Sequence, residues 1–335
     1  MLDSVTLASL TISFIATLVA TFATIPIVAR FMRRHGIVGK DVHKLSSPEI
    51  PEMCGVAVVV GLALGQIVFV VIFPSAVRMV AAFVGTFVIA GAIGVFDDIH
   101  PLSGKAKPAL TALACLPIIL LKTYSPLPAI PFVGEVSMTT IYIVMIPIAL
   151  AVTSNAVNMM DVMNGAMPGT AAIISATATL ILIASGQLEI AAMAAALLAA
   201  MLALYYFNRF PAKVFSGDTG SLTIGAALGA LAIMGKIEAA MIVALMPQIM
   251  NSFYGLVSVR GLRERREIRQ RPTKLLDNGL LEASSETGAP VTLARLILAE
   301  GPLSEKQVVS GMLFLTAISA ALALVTYWTT LVGAH

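Results

Sequence analysis

Four aspartates carry most of the chemistry this chain can offer. Asp97, Asp98, Asp161 and Asp218 each fall at the end of a long apolar run or in a short polar link between two such runs. Carboxylates at that depth are expensive and are kept for binding or proton work. Asp97 and Asp98 are adjacent, so their repulsion invites a cation, a metal or a shared proton, and Lys105 and Lys107 follow closely. The plain alternative is a solvated helix end. Asn155, Asn158 and Asp161 recur every third residue, which puts them on one face of a helix. Their amide oxygens could ligate a hard cation or bond across to a neighbouring helix. Asp218 sits in Phe215-Ser216-Gly217-Asp218-Thr219-Gly220-Ser221, whose glycines admit close backbone approach. Asp218 or Thr219 could instead cap a helix there. The segment is not a phosphate-binding P-loop, because no Gly-Lys-Ser/Thr follows. Near the C-terminus, Arg269 and Arg271 lead into Pro272. Their forked guanidinium groups suit a diphosphate, while the other charges of that segment read as solvated or near anionic lipid. Carboxylates, amides and cations together imply a divalent cation with a phosphorylated ligand.

The elements that must position these groups follow from composition. The chain has 335 residues, 58% hydrophobic and 12% charged, against about 25% charged in a soluble domain. A water-soluble fold is excluded. A net charge of +3 does not call for nucleic acid. Cys54 and Cys115 lie in or beside apolar runs and read as small buried hydrophobes rather than a disulfide. Stretches free of Asp, Glu, Lys and Arg give ten candidate spans: 5–29, 54–77, 79–96, 108–121, 136–157, 166–188, 190–207, 219–235, 239–258 and 307–331. A span needs about 20 apolar residues, so the fourth is short.

The expected fold is an all-α polytopic membrane protein, a bundle of about ten transmembrane helices. Residues 1–335 form a single integral membrane domain, with 259–306 a long basic cytoplasmic loop within it. With both termini outside, 18 of the 21 Lys and Arg residues fall in the inner loops, as the positive-inside rule requires. Every acidic motif then lies on the cytoplasmic face. The basic loop 30–53 is either a membrane anchor or a lid over an anionic substrate. A cation-coupled transporter would show inverted repeats and polar groups near mid-bilayer; the sequence shows no repeat. Gly61-Leu-Ala-Leu-Gly65 and Gly225-Ala-Ala-Leu-Gly229 permit close helix packing, within one bundle or between two copies.

In this order, Phe96-Asp97-Asp98, Asn155-Ala-Val-Asn158 through Asn164-Gly165, and Phe215 through Ser221 resemble the polyprenyl-phosphate N-acetylhexosamine-1-phosphate transferases, glycosyltransferase family 4. The resemblance covers nearly the whole chain, and ten spans with outer termini match it. Each motif is weak alone; the ordered set is specific. The bacterial muramyl branch carries a histidine cluster in the last inner loop, which is absent here. The dolichyl-phosphate GlcNAc-1-phosphate transferases look closer. Their Pro-Glu-Ser-Gln-Gly resembles Pro51-Glu52-Met53-Cys54-Gly55, and their Arg-His-Arg resembles Arg269-Gln270-Arg271. The mixture of branch features, with the short chain, resembles archaeal members.

The resemblance implies transfer of GlcNAc-1-phosphate from UDP-GlcNAc to a membrane polyprenyl (dolichyl) phosphate, with UMP released. That would be the first step of a lipid-linked oligosaccharide for protein glycosylation or another cell-surface glycan. The same reaction with another UDP-N-acetylhexosamine is the alternative. It implies Mg²⁺, or Mn²⁺ in its place, on Asn158 and Asp218, with Asp97, Asp98 and Lys107 catalytic and Lys105 the runner-up lysine. Lys44, Glu52, Asn155, Asp161, Asn164, Arg269 and Arg271 would contact the UDP-sugar or its diphosphate. The partners implied are the UDP-sugar, the lipid phosphate and the cell membrane, with a homodimer as a family expectation.

Overall fold

The structure is a computed structural model that describes residues 4–262 and 268–332. Arg263, Arg265 and Arg266 of the basic segment lie outside the described residues. Helix α1 (Ser4–Arg34) leads through a small hairpin, β1 (Val38–Lys40) and β2 (Glu49–Pro51), into α2 (Gly55–Ile72) and α3 (Val77–Ile99). Next comes an interrupted helix: α4 (Ala106–Thr111), a 3-10 turn, and α5 (Leu116–Leu120). A second hairpin, β3 (Ala129–Ile130) and β4 (Gly134–Glu135), precedes four long helices: α6 (Thr139–Met160), α7 (Ala166–Ala184), α8 (Leu188–Asn208) and α9 (Gly217–Met234). Then follow α10 (Glu238–Ala244), α11 (Met246–Ser258), a third hairpin of β5 (Thr273–Leu275) and β6 (Leu281–Ala283), the short α12 (Leu293–Ile297) and α13 (Glu305–Val332).

All ten apolar runs became helical, and two are not the unbroken rods expected. Among the described residues eight helices are long and apolar enough to cross a bilayer. The ninth run is the pair α10 and α11, bent by 65°. Pro247 sits in the first turn of α11, and a proline there cannot continue the preceding helix because it lacks an N–H and crowds the carbonyl four residues back. The fourth run, 108–121, is the interrupted helix Ala106–Leu120, with Pro117 opening α5.

Helix α9 is the axis of the bundle. Every residue from Thr219 to Met234 is buried, the state of a helix apolar on all sides. Helices α2, α3 and α6 pack on it, and missing side chains allow the approach. A Cβ on Gly55 of α2 would stand 2.2 Å from the Cα of Gly220 and 2.6 Å from the carbonyl oxygen of Ser216. One on Gly94 of α3 would lie 2.5 Å from the Cα of Thr219. Both glycine-rich stretches turn out to serve contacts within the chain. Gly61 and Gly65 meet Thr21 and Thr17 of α1, and Gly225 and Gly229 meet Ser154 and Thr153 of α6.

The segment expected as a long loop, 259–306, is folded where it is described. The β5–β6 hairpin is tied by Leu281 to Leu303 through paired backbone hydrogen bonds of 2.8 and 3.0 Å. Leu281, Ala294 and Leu298 share a second apolar cluster with Met160 at the end of α6, Met163 just after it, and Val308 and Met312 of α13. A handful of apolar residues among many charges was enough to fold it onto the bundle.

Two outcomes are expected. Gly55→Ala should lower stability by roughly 1–3 kcal/mol, because the new methyl meets backbone and α2 must shift. Gly311→Ala, whose nearest neighbour is a side-chain methyl of Ile297 at 3.2 Å, should be tolerated far better in the same thermal melt in detergent. Cys54 and Cys115 are free and buried, so neither should react with a maleimide until the protein is denatured. Rapid labelling of the folded protein would contradict this burial.

Candidate active site

The site begins where α9 begins. The first N–H groups of a helix lack partners within it. Here neither Asp218 nor Thr219 acts as the cap that the sequence allowed. The cap comes from another helix: Asp98, at the end of α3. One oxygen of Asp98 accepts the backbone N–H of Asp218 at 2.8 Å. The other accepts the backbone N–H of Thr219 at 3.0 Å and the Thr219 hydroxyl at 2.6 Å. An anion suits a helix N-terminus, where backbone dipoles converge. Gly217, at φ +67°, makes the left-handed entry, and a Cβ there would stand 2.8 Å from Asp98 Oδ2. Asp98 therefore fixes the direction of Asp218.

Asp97, one residue earlier, points elsewhere. Its Oδ1 accepts the N–H of Leu102 at 2.6 Å, closing the chain just after α3. Its Oδ2 lies 2.5 Å from the ammonium of Lys107. The same ammonium lies 2.9 Å from Asp218 Oδ2. On the other side of Asp218, the Asn158 amide donates to Oδ1 at 2.5 Å and to the Ser221 hydroxyl at 2.8 Å. Helices α3, α4, α6 and α9 thus each supply one member of one cluster. The Asp97 side chain is 2% exposed, that of Lys107 14% and that of Asp218 30%, so Asp218 is the accessible end. Lys105 is exposed and outside the cluster, so Lys107 is the lysine that joins these carboxylates.

Three carboxylates and one ammonium leave two negative charges in excess. Asp98 discharges part of this onto the α9 dipole. Asp97 and Asp218 remain as hard oxygen donors beside the Asn158 amide, a set that fits a small divalent cation. A second acidic group lies elsewhere: donor atoms of Asp41, His43 and Glu305 fall within 4.8 Å of one another. Lys44 sits there already, in contact with Asp41 and 3.4 Å from Glu305, so a lysine balances those carboxylates.

The remaining expected residues divide into groups. Asn155 and Asn158 bond to different neighbours, because α6 packs between α4 and α9. Asn155 donates to the Thr111 hydroxyl at 2.9 Å and to the Ala151 carbonyl at 2.8 Å, while Thr111 donates back to the carbonyl of Lys107 at 3.0 Å. Asn155 therefore steadies the helix that carries Lys107. Asp161 ends α6 and accepts from the Ser216 hydroxyl. Glu52 is half-buried on a turn laced to the α9 entry, where Phe215 N–H donates to the Pro51 carbonyl at 2.8 Å and Cys54 N–H to the Phe215 carbonyl at 2.9 Å. Asn164 is buried in the Lys44 knot: its amide donates to Asp41 and its backbone N–H to Glu305, both at 2.9 Å. Arg269 and Arg271 are exposed, and among the described residues no ion pair or hydrogen bond holds them.

Sequence reasoning missed Asp41, Glu305, Thr111 and Asn208. Asn208 is buried; it accepts from Gly165 N–H and donates to the Val214 carbonyl, each at 2.9 Å, joining the ends of α6 and α8. The only signal for Asp41 and Glu305 was their charge among neighbours that bury them.

The arrangement was compared with known proteins. The family model for glycosyl transferase family 4 matches residues 79–236, which hold Asp97, Asp98, Lys107, Asn158 and Asp218. A provisionally named UDP-N-acetylglucosamine–dolichyl-phosphate N-acetylglucosaminephosphotransferase of Saccharolobus solfataricus is 28% identical over 309 residues, 91% of this chain and 92% of that one. A provisionally named glycosyltransferase of Methanocaldococcus jannaschii is 33% identical over 272 residues, 81% and 82% of the two chains. A phospho-N-acetylmuramoyl-pentapeptide-transferase of Halalkalibacterium halodurans is 30% identical over 258 residues, 72% and 79%. Similarity of that extent, over the residues that build the cluster, means that the chain belongs to glycosyl transferase family 4.

Proposed function

We propose that this protein transfers GlcNAc-1-phosphate from UDP-GlcNAc to a dolichyl-type polyprenyl phosphate, giving GlcNAc-diphosphate-polyprenol and UMP. The observation that carries this reading is the ammonium of Lys107 bridging Asp97 and Asp218 at the polar end of an apolar bundle. The names of the relatives from Saccharolobus solfataricus and Sulfolobus acidocaldarius support it. The distribution of basic residues supports a cytoplasmic site in the cell membrane, with both termini outside.

The reactants are both anionic, so the site must offset their repulsion. Lys107 has three N–H donors. Two face the carboxylates, and the third is free to meet a phosphate oxygen. Asp218 and Asn158, with Asp97 beside them, would hold Mg²⁺ or Mn²⁺, which supplies charge neutralisation on the donor diphosphate. In the transfer, an oxygen of the lipid phosphate attacks the phosphorus that bears the sugar, and the bond from that phosphorus to the UMP oxygen breaks, its electron pair leaving with UMP. The second pKa of a phosphate monoester is about 6, so the nucleophile is already ionised at neutral pH. Positioning then matters more than a strong base. Asp98, with both oxygens spent on α9, acts as a positioning residue.

Purified protein should release UMP from UDP-GlcNAc only with both polyprenyl phosphate and a divalent cation. UMP from another UDP-N-acetylhexosamine alone would change the sugar and keep the chemistry. No UMP from any UDP-sugar in folded protein would end the transferase reading. Asp218→Asn should cut turnover by about 10²-fold or more with little change in thermal midpoint. Asp98→Asn should lose activity and also about 1 kcal/mol of stability, the cost of weakening a helix cap; unchanged stability would return Asp98 to a purely chemical role. Lys107→Ala should be as damaging as Asp218→Asn, whereas Lys105→Ala should be nearly silent.

A further inference from the structure

The hairpin of β3 and β4 breaks the usual rules for a turn in water. Its tip is Ile130-Pro131-Phe132-Val133, closed by the Val133 N–H, which donates to the Ile130 carbonyl at 3.1 Å. Proline second and a positive φ third is the pattern of a type II turn, whose third place goes to Gly or Asn. Here it holds Phe132, at φ +64°. A left-handed backbone crowds a Cβ against the following carbonyl, so the ring is kept in spite of the turn. That ring is 77% exposed, and Val133 beside it 64%. From Thr123 to Thr139 the one charged residue is Glu135, which pairs with Lys236 at 3.4 Å at the base of the hairpin. The tip itself rests on α13, where the Phe132 N–H donates to the Thr329 carbonyl at 3.3 Å.

We infer that this tip is an interfacial anchor, seated in the headgroup region of the leaflet opposite the charge clusters. Depth along α13 sets the level. Glu305, in the Lys44 knot, marks the polar end of that helix. From there to Thr329 the helix rises about 36 Å, just past a hydrocarbon layer of about 30 Å. At this level the outward face of α13 is apolar too, with Val325, Trp328 and Leu331 exposed. Phe132 and Trp328 thus stand at one height, as aromatic residues do at a membrane–water boundary. Phe132 and Val133 spend their N–H groups within the protein, so the tip offers apolar surface to whatever covers it. That surface is continuous with the lipid-facing side of α13, which makes the bilayer its occupant. Anchored here and tied at Glu305, α13 is held at both ends, and its depth is fixed. Nothing in this depends on the proposed transfer, because the tip and the charge clusters lie at opposite ends of α13.

Trp328 is the one tryptophan of the chain, so fluorescence can be confined to a chosen position. Phe132→Trp in a Trp328→Phe background is placed in phosphatidylcholine nanodiscs, which leave both membrane faces open to water. The control is Asp277→Trp in the same background, on the exposed tip of the β5–β6 hairpin. Lipid brominated high on its acyl chains should quench the tip tryptophan at least about threefold more than the control, and acrylamide in the water about threefold less. Val133→Trp should behave in the same way, and it reads the depth if Phe132→Trp does not fold. Acrylamide quenching equal to the control's would place the tip in water and overturn the anchor. Shielding from both quenchers would reveal a protein surface over the tip, a second copy or another chain, and would overturn it too. Quenching greatest with bromines near the chain ends would put the tip in the hydrocarbon core, which also sinks the interfacial reading.

Discussion

The carboxylate of Asp98 on the first turn of α9 is the interaction on which the rest of the site depends. It crosses from α3 to α9, so it joins two helices while serving the backbone of one. Both of its oxygens are used. Without it, the opening N–H groups of a buried helix would need other partners at the polar rim, where few side chains are free to supply them. Once it is in place, Asp218 has a single direction, and Lys107 and Asn158 can meet it from α4 and α6. The glycines at 55, 94 and 220 are the steric condition for this cap, because α3 and α2 could not otherwise reach the α9 backbone.

The polar end of the bundle holds two charge clusters that differ in how they are closed. Around Lys107, the charges are unequal and Asp218 remains accessible, which suits a site that must admit cations and anions in turn. Around Lys44, the ammonium is enclosed by Asp41 and Glu305 and lies 4.7 Å from the ring centre of Phe210. That knot binds the turn after β1 to the start of α13 and to the link after α6. It draws together segments from the two ends of the chain. Removing one partner from such a buried group costs more than the bond itself, because the other charge is stranded.

The sequence made the apolar runs legible because length and absence of charge are local properties. Its errors at their ends have one cause. A scan that stops at charge places the end of α3 before Asp97 and the start of α9 after Asp218, yet both helices run through those residues. Paired or capping carboxylates do not end a helix. The cluster of Asp97, Lys107, Asn158 and Asp218 was foreseen as a set of residue types, but its wiring was not. That Asp98 caps α9, that Asn155 steadies α4, and that Asp41 meets Glu305 are long-range facts with no trace in spacing. The bend at Pro247 was visible as a proline, while its size depends on packing. Arg269 and Arg271, singled out for their forked guanidinium groups before a proline and by resemblance, are exposed in the structure.

The interrupted helix Ala106–Leu120 has a mechanical consequence for the surrounding lipid. Fifteen residues rise about 22 Å, well short of a hydrocarbon layer of about 30 Å. If this segment crosses the membrane, the bilayer on that side must thin, or its headgroups must dip, to avoid exposing the segment's polar ends. Lys107 lies near the start of that segment, in α4, so such a dip would fall beside the charge cluster. In the proposed transfer, a phosphate headgroup arriving there would descend with its own membrane and need not be lifted out of it. A short segment crossing there would form a local depression in the water–lipid boundary, where an amphiphile and a water-borne nucleotide could meet at the same depth.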